Sequence, residues 1–112
     1  MKYYHVTTLE NWEKIRRFGL IPRIGNKTQL YRYLSEGRIY FFNSIEEAED
    51  GLVNWIVDRY PEAEDSEEPF FSILEVKIPN DVEIFEDPEL PLSAVYVIEK
   101  IPPFNIRFLM SD

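Results

Sequence analysis

The sequence predicts an α+β fold, with helices in the first half of the chain and strands in the second. Three observations predict it. Capping-box spacings open amphipathic runs at Thr7-Thr8-Leu9-Glu10 and at Ser44-Ile45-Glu46-Glu47. Beyond Glu68 the chain turns to short branched and aromatic runs. Glycine, proline and Asn-Asp signals separate these elements. At 112 residues the chain fits a single domain, 1–112, without an internal repeat. Hydrophobic residues at 45% and aromatics at 15% supply one core, so neither disulfides nor metals are needed to fold it.

Tyr3-Tyr4-His5-Val6 reads as the first strand. Thr7 or Thr8 then starts a helix whose Leu9, Trp12 and Ile15 recur at helical spacing. Gly19 suits a left-handed cap, and Leu20-Ile21-Pro22 leads the chain out. Gly25-Asn26 signals a turn, and Lys27 to Glu36 gives a weaker helical pattern. Ile39-Tyr40-Phe41-Phe42 is a short apolar strand. Ser44 opens the next helix, with Ala48, Leu52, Trp55 and Ile56 as its core stripe and Pro61 as its stop. Phe70–Ile78, Val82–Phe85, Ser93–Ile98 and Asn105–Met110 read as strands, with Ile101-Pro102-Pro103 as a rigid link.

The formal net charge is −9, which disfavours nucleic acid and anionic membrane surfaces. Lys14, Arg16, Arg17 and Arg23 form the basic cluster, close to His5. Glu62 to Glu68 is a dense acidic run that reads as a solvated loop, since it lacks the spaced ligands and central glycine of a calcium loop. The chain has no cysteine, which excludes disulfides and thiolate metal sites. With one histidine, a zinc site built on histidines is excluded too. No secretory leader or apolar stretch of membrane-spanning length is apparent, so the expected location is cytoplasmic.

His5 is the residue that concentrates functional interest. It falls where a strand opens into a helix, and the N–H groups of a helix start favour an anion. Thr7 adds a hydroxyl two residues on, hence on the same face of the strand. No glycine-rich phosphate loop and no nucleophile elbow accompany them.

The order of these motifs resembles a known family. Tyr4-His5-Val6-Thr7 is followed by a helix leaving through Gly19-Leu20-Ile21-Pro22-Arg23, then by Ile39-Tyr40-Phe41-Phe42. Further on, Val95-Tyr96-Val97 precedes Ile101-Pro102-Pro103 and Asn105-Ile106. The set is similar to the ADP-ribosyltransferase-like superfamily, in the branch of the RNA 2′-phosphotransferases and the DNA-modifying toxins of toxin–antitoxin pairs. The resemblance covers most of the chain. It implies a split β-sheet, two to three helices in the N-terminal half, and NAD as cofactor in a cleft. It implies that His5 binds the adenosine ribose, with Thr7 in support, and that Tyr40 stacks near the nicotinamide. Arg23, just past the helix exit, has the charge to meet the pyrophosphate.

The sequence departs from the family at the catalytic carboxylate. Ser93 or Ala94 stands where the transferases carry a Glu, with Glu89 and Glu99 the nearby acids. Loss of that charge costs several kcal/mol of transition-state stabilisation. The expectation is therefore a nucleotide- or NAD-binding protein with catalysis open. The alternative is a non-enzymatic acidic interaction protein, of phage or antitoxin type, that occupies a protein partner.

Overall fold

A computed structural model describes residues 2–22, 37–56, 60–61, 63, 68–86 and 94–111, apart from the side chains of residues 54 and 55. The aromatic and branched N-terminal run forms β1 (Lys2–Thr8). Thr8, in extended backbone, caps α1 (Leu9–Phe18): its Oγ1 accepts from Asn11 N–H at 3.1 Å. The helix closes on Gly19, whose φ of 82° lies in the left-handed region and whose N–H donates to Ile15 C=O at 2.8 Å. A Cβ there would run into the Ile101 carbonyl. That close approach lets Leu20 and Ile101 exchange backbone hydrogen bonds, both at 2.9 Å.

The apolar run after Arg38 is β2 (Ile39–Phe41). Ser44 caps α2 (Ile45–Gly51), accepting from Glu47 N–H at 3.1 Å. The Glu47 carboxylate accepts from Asn43 N–H at 3.2 Å, one residue before the reciprocal position of an ideal capping box. The helix expected to reach Pro61 is α-helical only as far as Gly51, and Leu52–Ile56 continue as a wider π turn. The later strands are β3 (Phe71–Lys77), β4 (Phe85–Glu86), β5 (Val95–Val97) and β6 (Ile106–Ser111), the last preceded by a 3₁₀ turn at Pro103–Asn105. The expected strand Val82–Phe85 is thus displaced to Phe85–Glu86.

The strands form two antiparallel sheets of three, β1-β3-β6 and β2-β5-β4. In the first, Tyr3 faces Val76, His5 faces Leu74 and Thr7 faces Ser72. β6 joins the other side of β3 with a register shift between Ile73 and Leu74. In the second, Tyr40 and Phe85 both face Tyr96. The sheets meet at Tyr4 and Phe42, which exchange backbone bonds at 2.9 and 2.7 Å.

Alternation along the strands sorts the apolar side chains into two cores. Tyr3, Leu74 and Val76 pack with Ile15 of α1 and with Ile39, Phe41, Val95 and Val97 of the second sheet. Ile73, with Tyr4 and Val6 beside it, packs with Phe42, Ala48 and Ala94. β3 is covered on both faces along Phe71–Leu74, where all four residues are buried, Ser72 as the one polar member.

The expected class is overturned. The sequence pattern leads to an α+β chain on an ADP-ribosyltransferase-like split sheet, with two to three helices in the N-terminal half. Among the described residues there is more strand than helix, the α-helices are α1 and α2, and the strands make two separate three-stranded antiparallel sheets. Among the described residues the first half is not a helical layer. It supplies β1, which pairs with a strand some seventy residues away, and β2. Helix caps are local signals and are easily read. Pairing at that separation leaves no local signal, so the helix caps dominate the sequence pattern. The Gly25-Asn26 turn, the helix over Lys27–Glu36, and most of the Glu62–Glu68 run lie outside the described residues.

Candidate ligand-binding site

His5 stands at the fork where β1 and β2 part. Tyr4 spends its N–H and C=O on Phe42, on the side of β1 away from β3. No second backbone bridge between β1 and β2 follows among the described residues. The His5 imidazole spans the gap instead, with Nδ1 2.7 Å from the Tyr40 carbonyl. A carbonyl only accepts, so Nδ1 carries the proton. The ring leans on Phe41, with centroids 5.7 Å apart. Burial pushes the His5 pKa below its usual 6.5, and the bond to Tyr40 opposes that shift in part. His5 is therefore neutral at pH 7, with Nε2 carrying a lone pair.

The hydroxyl duties of the two threonines are divided. Thr8 caps α1, and Thr7 Oγ1 accepts from Asn11 Nδ2 at 3.3 Å. Thr7 shares a strand face with His5 and is half-buried. Because Thr8 is the cap, Asn11 and not Glu10 takes the third helical position.

Tyr40 meets His5 through its backbone. Its ring lies on the face of β2 opposite Phe41, in a row that crosses the second sheet. Tyr40 and Tyr96 have centroids 5.7 Å apart, and Tyr96 and Phe85 stack at 5.2 Å with planes 19° apart. The Arg38 guanidinium sits 4.2 Å from the Tyr96 ring centre, a cation–π distance, and its Nη1 donates to the Tyr40 hydroxyl at 3.4 Å. All four side chains are half-buried. Arg38, Tyr96 and Phe85 were not read from the sequence as site residues. The readable signal was Arg38-x-Tyr40, which places a cation and an aromatic on one face of a strand.

Arg23, Ser93 and Glu89 lie outside the described residues. Ala94 is 1% exposed and packs in the second core, so it brings no polar group to the fork. Glu99 is exposed just beyond β5, past the end that pairs with Ile39. No cluster of three acidic, histidine or cysteine residues capable of holding a metal occurs among the described residues. None of the described helices is long and apolar enough to cross a membrane. A surface concavity of about 410 Å³ opens elsewhere, between Lys2, Lys77, Phe104, Asn105 and Arg107, and His5, Thr7 and Tyr40 do not line it.

Comparison with protein-family models, with curated proteins and with solved structures finds no match to this chain.

Proposed function

We propose that this protein binds NAD or a related nucleotide at the fork between β1 and β2. The observation that carries the reading is the His5–Tyr40 bond of 2.7 Å. It fixes the imidazole on the edge of β2 and leaves Nε2 as an acceptor of the kind a ribose hydroxyl satisfies. Thr7 offers a second polar group on the same strand face. The ligand class rests on the ordered motifs around His5, Gly19 and Tyr40 as well as on this chemistry.

The proposed activity is binding. Transfer of ADP-ribose needs a carboxylate to stabilise the charge left as nicotinamide departs, and Ala94 supplies none. NMR titration with NAD and with ADP, using His5→Ala as control, tests the reading. The amides of His5, Thr7 and Tyr40 should shift at saturation, and His5→Ala should abolish the shifts. Saturating NAD that moves no resonance near His5 would sink it.

A further inference from the structure

Among the described residues, one edge of β6 carries no neighbouring strand. β6 is the terminal strand in the order β1-β3-β6. The ladder pattern says which of its groups face out. Tyr4 turns its peptide groups to Phe42, away from β3, so its neighbour across the sheet, Glu75, turns its own groups toward β6 and Arg107. Phe108, one residue on, therefore turns its N–H and C=O outward. Ile106 spends its N–H on Pro103 C=O, which leaves its carbonyl at the edge. Ile106–Ser111 contains no proline and no lysine, the residues that usually block such an edge.

The side chains beside this edge define what fits it. Lys2 Nζ and Arg107 Nη2 share the single carboxylate of Glu75, at 3.5 and 2.9 Å. The trio therefore keeps one positive charge. Lys77 lies on the same face of β3, exposed and without an ion pair among the described residues. Phe104 is 89% exposed just before the strand. The concavity between Lys2, Lys77, Phe104 and Arg107 adjoins the edge. On a chain of net charge −9, this corner is locally positive and apolar.

We propose that β6 docks an extended acidic protein segment, which adds as a further antiparallel strand. Main-chain bonds to Phe108 hold it. Its carboxylates face Arg107 and Lys77, and an apolar side chain covers Phe104. A second copy of the chain is the poorer occupant, because β6 paired with itself sets like-charged corners side by side.

The test is an NMR titration of the full chain with a capped hexapeptide of alternating Glu and Val, against one of alternating Lys and Val. The acidic probe should shift the Arg107–Ser111 amides and slow hydrogen exchange at Phe108. Phe108→Pro should abolish binding. Lys77→Glu, which leaves the backbone intact and so serves where Phe108→Pro does not fold, should weaken it several-fold and flatten its salt dependence. Equal binding of the lysine probe, absence of binding, shifts confined to other strands, or sedimentation showing a β6-mediated dimer that excludes the probe would each overturn the proposal.

Discussion

The two sheets share a seam but are built on different scales. The first has strands of seven, seven and six residues, and the second of three, three and two. In the first, β3 is buried on both faces, with Ile73, Leu74 and Val76 wholly inaccessible. In the second, Ile39, Phe41, Val95 and Val97 are buried on one face while Tyr40 and Tyr96 lie half-buried on the other. Strands this short gain little from their own ladders. The second sheet is held by the core it shares with the first, and by the Tyr4–Phe42 bridge. The long sheet therefore carries most of the fold together with His5 and Thr7 on its β1 edge, while the short sheet offers the partly exposed aromatic and cationic groups Arg38, Tyr40, Tyr96 and Phe85.

Truncations on either side of the seam give the largest contrast. Leu74→Ala empties a fully buried site in β3 and should cost about 3 kcal/mol or more, read from urea unfolding. Tyr96→Ala removes a half-buried ring with its Phe85 and Arg38 contacts and should cost about 1 to 2 kcal/mol. Equal costs would mean that the second sheet is as much a part of the frame as the first. Next in size is Gly19→Ala, which meets both the 82° φ and the Ile101 carbonyl. A loss of about 2 kcal/mol is expected. A loss near zero would mean the Leu20–Ile101 approach is not tight.

The seam itself should respond to pH through His5. Its folded pKa lies below the 6.5 of the unfolded chain, so the unfolded state binds the extra proton first as pH falls. The His5 contribution is complete above 6.5 and is lost as pH drops from there through the lower folded value, at no more than about 1.4 kcal/mol per pH unit. His5→Asn keeps a donor for the Tyr40 carbonyl and removes the titration. The stability difference between wild type and this variant should therefore change only below pH 6.5, and a constant difference would refute the burial argument. The smallest contrast separates the threonines. Thr8→Ala removes the cap of α1 and should cost about 1 kcal/mol, whereas Thr7→Ala should cost less than about 0.5 kcal/mol. The reverse order would reassign the cap.

Local signals were legible in the sequence. The Ser44 cap, the Gly19 terminus and the apolar strand at Ile39 all stand where their residue types place them. Thr7 and Thr8 were equivalent by type, and only the backbone at Thr8 separates them. The overall class is not legible locally, because caps speak only for helices, while β1 finds its partner in Phe71–Lys77, toward the far end of the chain. The site divided in the same way. His5 could be found as the single histidine at a strand end. That it bridges to the Tyr40 backbone depends on two strands diverging after Tyr4, which no local pattern encodes. Arg38 and Tyr96 come together across β2 and β5, so that their pairing too is written only in the register.

Because the chain has one histidine, the ¹⁵N resonances of its imidazole can be assigned without ambiguity. Recording them at pH 7, without and with saturating NAD, tests the binding reading most directly. The free protein should show a neutral ring protonated at Nδ1, and NAD should move the Nε2 resonance. A ring protonated at Nε2, or an Nε2 signal that NAD leaves in place, would contradict it.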